Sequence, residues 1–227
     1  MKRSLHFLCI VTIVLIAIET NAQNKNNWYK NKFYVRGDIG ASIPANKFRN
    51  RNAADPYVTK KLKQTAIYNI GIGYKITDNV RSDLNFSYRN FRYKAKDPKF
   101  PIAVSQKIKS YSVFFNGYFD FININKILKP YLTAGIGYGQ NNSTDLIAQD
   151  TNSGTKIGYP GNKQKNFIWN IGFGTKFIIN NTFNLDVSYK YVDLGKIQTK
   201  VNPLDTDVPS SQKIKSHEIT GGVIINL

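Results

Sequence analysis

Apolar residues alternate with small or polar ones in eight separate stretches of the chain, and long and short gaps divide these stretches in turn. In the clearest of them, residues 33–42, Phe33, Val35, Gly37, Ile39 and Ala41 fall on one side and Tyr34, Arg36, Asp38, Gly40 and Ser42 on the other. A period of two marks a β-strand whose faces meet different surroundings. Charges at Arg36 and Asp38, in mid-strand, make the second face wet or ion-paired, because an uncompensated charge is not buried in a dry core.

The same alternation predicts strands over 66–76, 80–88, 109–121, 130–139, 166–177 and 183–191, and a last strand ending at Leu227. Polar segments 43–64, 94–106, 140–163 and 195–212 read as loops, whereas Thr77-Asp78-Asn79 and Asn180-Asn181-Thr182 read as tight turns. The link 122–129 is of medium length and partly apolar. Gap length thus sorts by parity. A soluble sandwich has no reason to do this, but a membrane barrel with both termini on the inner side does. The predicted fold is all-β: an eight-stranded antiparallel up-and-down transmembrane β-barrel with four long outer loops. A soluble lipocalin-type barrel would share the alternation with its faces exchanged. Aromatic residues support the membrane assignment. Phe33, Tyr74, Phe119, Phe177 and Phe183 lie beside the short connections, and Tyr88, Tyr111, Tyr138, Phe167, Trp169, Tyr189 and Tyr191 toward the long loops, as two interfacial girdles would require.

The N-terminus reads as a secretory leader, residues 1–22, followed by one barrel domain, residues 23–227. Lys2 and Arg3 precede an apolar run, Leu5–Ile18, and Thr20-Asn21-Ala22 resembles a cleavage site. The run is shorter than the ~20 residues of a spanning helix. Cys9, the single cysteine, falls inside it and leaves with it, so no disulfide or thiol chemistry is expected. Export then directs the barrel to the outer membrane of a Gram-negative cell, where no nucleic acid partner is expected.

The formal charge of +18 on 227 residues points to anionic lipid or acidic polysaccharide. A drift toward Lys, Asn and Ile in an AT-rich genome is the alternative source. Inward positions carry Arg36, Asp38, Lys75, Arg81, Asp83, Arg89, Asp120, Lys176, Asp186, Lys190 and Glu218. In a narrow barrel these read as a mutually paired plug rather than a pore lining. The turns set Lys176 opposite Asp186, and Lys75 opposite Arg81 with Asp83 diagonal to relieve the repulsion. Recurring inward glycines (Gly71, Gly73, Gly135, Gly137, Gly139, Gly172, Gly174) leave room for these large side chains. Loop one holds Lys47, Arg49, Arg51, Lys60, Lys61 and Lys63, loop two Lys94, Lys96 and Lys99, and loop four is flanked by Lys196, Lys200, Lys213 and Lys215. These are candidate contacts for lipopolysaccharide phosphates or acidic host glycans and proteins, with solvated loops as the plain alternative.

Catalytic chemistry finds little support. Nucleophilic catalysis needs a base within reach, and beyond the leader the chain has one histidine, His217. No His, Cys or carboxylate cluster with metal-ligand spacing is present, and no cofactor motif.

Three segments carry a family resemblance: Phe33-Tyr34-Val35-Arg36-Gly37-Asp38-Ile39-Gly40, Pro130-Tyr131-Leu132-Thr133-Ala134-Gly135-Ile136-Gly137-Tyr138, and Leu185 through Gly195. With His217-Glu218 to Leu227 as a closing strand, the chain resembles the small eight-stranded outer-membrane barrels of the OmpX/opacity-protein superfamily, which includes rickettsial surface proteins and adhesins. It departs from them at Leu227, where such strands carry an aromatic residue. The resemblance implies a non-enzymatic, monomeric surface barrel serving envelope structure or adhesion. A small porin or solute channel, and a lipid-modifying barrel enzyme, are the other functions such barrels perform.

Overall fold

The computed structural model describes residues 32–48, 60–96, 102–121, 127–198 and 211–227. Eight long strands follow one another: β1 Phe33–Pro44, β2 Thr65–Lys75, β3 Val80–Lys96, β4 Ile102–Asp120, β5 Leu128–Ser143, β6 Lys163–Ile178, β7 Phe183–Gln198 and β8 Ser211–Asn226. Each pairs antiparallel with its neighbours in the chain, and β1 pairs with β8, so the sheet closes. Closure satisfies every ladder and leaves the barrel no open edge, the condition for strands to cross lipid.

The register fixes the shape. Crossing from Tyr34 to Gly73, Asp83, Asn116, Gly135, Asn170, Val192 and Ser216 returns to β1 at Pro44, ten residues above the start. With eight strands and normal spacings, that stagger tilts the strands by about 40°. Side chains at the expected outward positions, such as Ile72, Leu84, Phe115, Ile136 and Phe173, are more than half exposed. They form an apolar belt, bounded below by aromatic pairs such as Phe33–Tyr74 (ring centroids 5.0 Å) and above by Tyr88–Tyr111 (5.1 Å) and Trp169–Tyr191 (5.8 Å).

Both tight turns are closed by polar side chains. The Thr77 hydroxyl accepts from the Asn79 and Val80 amides, and Asn180 Oδ1 from those of Thr182 and Phe183. These contacts fix the registers that follow.

The strands run farther than expected at the long-loop side. β3 continues to Lys96 and β4 begins at Ile102, through a segment read from sequence as loop. β5 reaches Ser143 and β7 reaches Gln198. In these extensions the alternation persists with its polarity reversed: Phe91 points inward and is buried, whereas Arg92 and Lys94 point outward. Loop three, expected to be irregular, contains a hairpin of Leu146–Asp150 with Lys156–Tyr159, whose first strand pairs with Ile102–Ser105 of β4. In β7 a bulge separates Asp193 from Lys196, with Gly195 at φ 76°. A side chain there would be strained and would strike Asn166, which instead bonds the Lys196 main chain through both ends of its amide. Residues 1–31, which include the expected leader, and residues 122–126 of the medium link lie outside the described residues.

Candidate functional site

Inward residues of the lower barrel build one charged cluster. Arg36 on β1 reaches across the lumen: its guanidinium donates to Asp38 (2.9 and 3.0 Å), to Asp186 of β7 (3.0 Å) and to the Tyr118 hydroxyl (2.9 Å), and stands 3.5 Å from Asp83 of β3. Tyr118 donates onward to Asp83 (2.7 Å), and Tyr131 to Asp186 (2.9 Å). Arg81 donates to Asp120 (3.2 Å) while its guanidinium lies 3.8 Å from the Tyr118 ring centroid and 4.7 Å from that of Tyr131. Such stacking supplies cation–π attraction inside a water-poor lumen. Lys176 completes the group on Asp120.

Glycines make this crowding feasible. A Cβ at Gly73 would overlap the Tyr34 ring, and one at Gly174 the Tyr131 hydroxyl. A little higher, Arg89 forms a bidentate pair with Glu218, whose Oε1 also accepts from Ser42 (3.1 Å) and Ser216 (3.2 Å). Every expected inward charge thus faces the lumen. Arg36, Asp38, Arg81, Asp83, Arg89, Asp120, Lys176, Asp186 and Glu218 are buried, and Lys190 and Lys75 are partly covered.

The partners differ from those expected. Lys176 does lie opposite Asp186 in register, but its ammonium binds Asp120, two strands away. Lys75 does lie opposite Arg81, but Asp83 serves Arg36, Asn116 and Tyr118 rather than relieving that pair. Across a narrow lumen, a facing wall is as near as a neighbouring strand. Lys75 and Lys190 join none of the ion pairs among the described residues. Setting Lys75 and Lys129 aside at the inner mouth, the lumen holds five cations and five carboxylates among the described residues, so the chain's excess charge lies elsewhere.

Above the cluster, a small polar cavity touches Asn69, Asn85, Asn170, Lys190 and Thr220. Over it the lumen turns apolar. Phe91, Ile108, Phe114, Ile168, Val192, Leu194, Ile197 and Ile214 pack together, joined by Leu62 from the segment ahead of β2. Sequence reasoning placed Tyr34 on the inward face with Arg36 but missed this upper plug and the inward tyrosines Tyr118 and Tyr131. Parity with Asn116 and Thr133 was the available signal for those two.

The basic positions gather at the outer rim. Lys47 stands opposite Lys61, and Phe48 opposite Lys60, in a two-rung ribbon. Lys63 and Lys94 are exposed, Lys96 ends β3, and Arg49, Arg51, Lys99 and Lys200 lie outside the described residues. Lys196 faces Lys213, and Lys215 pairs with Asp193 at 3.8 Å. Segments 45–64 and 90–109 together hold twelve Lys or Arg against two Asp, whereas 140–166 and 193–217 hold seven against five Asp. Along the sequence, the positive charge is therefore concentrated in the two segments that link β1 to β2 and β3 to β4. His217 sits on the outward face with its Nδ1 2.6 Å from the Tyr189 hydroxyl, and the described residues contain no group of His, Cys, Asp or Glu able to hold a metal ion.

Comparison with known proteins agrees with this architecture. The family model described as "Outer membrane protein beta-barrel domain" matches residues 10–224. Among curated proteins, the chain is 24% identical to the outer membrane protein PagN of Salmonella typhimurium, over 86% of this chain and 85% of that one. It is also 24% identical to a candidate adhesin of Rickettsia prowazekii, over 85% and 86% of the two chains. Among solved structures, Neisserial surface protein A superposes with a TM-score of 0.54 at 18% identity, covering 86% of this chain and 97% of that one.

Proposed function

The chain belongs to the outer membrane protein beta-barrel domain family, and on that premise we propose that it is a surface adhesin whose rim over β1–β4 binds acidic host-surface glycans. The barrel is its anchor in the outer membrane of a Gram-negative cell. The observation that carries this reading is the uneven charge: twelve cations against two carboxylates in the first two loop segments, over a lumen whose charges balance. Sulfated or carboxylated polysaccharides meet such a field through many charge-assisted contacts, which salt weakens. The names given to rickettsial relatives support the same role.

The role is non-enzymatic. His217 lies on the lipid-facing side of the barrel wall, where its ring bonds the Tyr189 hydroxyl. A solute channel would need a continuous lumen, and here the charged cluster and the apolar plug fill it in series. The protein acts as a monomer, since closure leaves no barrel strand to pair with a second copy.

Heparin affinity chromatography of the folded protein in detergent tests this. The wild type is retained and elutes with salt. The variant Lys47→Gln/Arg49→Gln/Arg51→Gln/Lys60→Gln/Lys61→Gln elutes at clearly lower salt. Equal elution of the two proteins would refute the assignment to this side of the rim.

A further inference from the structure

The outer face of the β3–β4 hairpin carries a second basic feature, distinct from the loop tips. Going outward along the register, the facing pairs are Leu84–Phe115, Phe86–Val113, Tyr88–Tyr111, Asn90–Lys109, Arg92–Lys107 and Lys94–Ser105. Lys63 lies opposite Arg92 on the other side. Lys63, Arg92 and Lys107 therefore stand in one row across three strands, with Lys109 beneath and Lys94 above. All five side chains are exposed on the barrel's outer wall. Among the described residues, this panel of β3 and β4 above Tyr88 contains no Asp or Glu.

Like charges directly opposite one another repel and destabilise a sheet. A strand pair that stacks them without a carboxylate is built for an anion from outside. The position tells which anion. The ladder begins one rung above the aromatic pair that ends the apolar belt, and it points sideways into the plane of the membrane rather than up from the loops. At that depth an outward side chain meets headgroups. Basic residues placed just beyond a hydrophobic span are drawn to anionic headgroups, Arg gripping phosphate with two parallel donors and Lys acting as a point charge. On β7–β8 the comparable position is partly neutralised, since Asp193 pairs with Lys215.

We propose that Lys63, Arg92, Lys94, Lys107 and Lys109 form a binding site for the phosphate groups of an outer-leaflet glycolipid. The site holds the barrel at a fixed depth and surrounds it with a bound lipid on its β3–β4 side. It rests on the membrane placement of the belt rather than on the adhesin reading. Five of the twelve cations counted in the first two loop segments belong to it, and the adhesin reading keeps the other seven, Lys47, Arg49, Arg51, Lys60, Lys61, Lys96 and Lys99.

The test is the melting of the folded, heat-modifiable band in phosphatidylcholine vesicles with and without bisphosphorylated lipid A. The wild type melts about 5 °C higher with lipid A, the shift that ligand linkage gives at saturating lipid for a chain of this size. Lipid A stripped of its phosphates gives no rise. Arg92→Gln/Lys107→Gln/Lys109→Gln loses the rise, Arg92→Lys/Lys107→Arg/Lys109→Arg keeps it, and Lys107→Gln or Lys109→Gln alone loses part of it. An equal rise in the triple glutamine variant, or from dephosphorylated lipid, would overturn the proposal. So would an equal rise from free inorganic phosphate, which would make the ligand a soluble anion. Unchanged heparin elution of the triple glutamine variant keeps this site separate from the rim, and its loss would merge the two.

Discussion

The lower and upper halves of the lumen solve opposite problems. In the lower half the outer wall meets lipid, so Ile72, Leu84 and Phe173 face outward and the interior is assembled from charges and tyrosines. In the upper half the outer wall meets headgroups and water. There Arg92, Lys94, Lys107 and Lys109 face outward, and Phe91, Ile108 and Leu194 are buried. The hydrophobic effect acts in both halves, but only in the upper one does it drive side chains into the barrel. In the lower one, cohesion comes from ion pairs and hydrogen bonds held where little water competes. The rung at which the two faces exchange polarity, just above Tyr88 and Tyr111, marks the outer edge of the bilayer's apolar core.

The largest expected effect comes from the charged half. Arg36→Met leaves Asp38, Asp83 and Asp186 without their common cation, and loss of one partner from a buried ion pair costs about 3–5 kcal/mol. Urea unfolding from lipid vesicles measures it, and a loss below about 1 kcal/mol would show that the cluster is not what holds this half together. Phe91→Ala in the upper plug follows, at about 3 kcal/mol for an unfilled cavity. Its conductance in planar bilayers stays at baseline, because the charged cluster below still closes the lumen. A steady open current would refute two seals in series.

Paired substitutions on the outer wall sharpen the boundary between the halves. Ile72→Lys, at membrane depth, costs about 2–4 kcal/mol, whereas the reverse change Lys107→Ile, above the exchange of faces, stays within about 0.5 kcal/mol. Equal costs would place the bilayer surface elsewhere. The smallest effect belongs to the loop-three hairpin, beyond both halves. Amides of Asn152 and Ser153 donate to Asp150 and hold its carboxyl below the ordinary aspartate range. The hairpin therefore keeps this contribution at neutral pH and loses it as pH falls through the lowered value. NMR titration of Asp150 reads the shift, and an ordinary value would show that the turn is not formed in solution.

Much of this was readable from residues alone, for a physical reason. Period-two alternation assigns each side chain to a face, so Arg36, Asp83, Asp120, Asp186 and Glu218 were placed in the lumen without any structure. Partners were less legible. Register says what lies beside Lys176, but not that Asp120, two strands over, is within reach across a narrow lumen. The upper plug escaped because Phe91, Ile108 and Val192 stand just beyond the predicted strand ends, where the apolar residues change to the inner face and a search for apolar outer faces stops. Reversed polarity is still alternation. The rim cations were visible as charge, but the row of Lys63, Arg92 and Lys107 appears only when three strands are set side by side.

Two of the ion pairs in the lumen cross the seam between β1 and β8: Arg36 with Asp186, and Arg89 with Glu218. No open sheet running from β1 to β8 brings both members of either pair together. They come into being only when β1 meets β8, so their free energy arrives at a single step at the end of assembly. Partly assembled sheets gain nothing from them, and a finished barrel gives them up all at once. The cluster thus acts as a latch that separates folded from unfolded chains sharply, with little populated between.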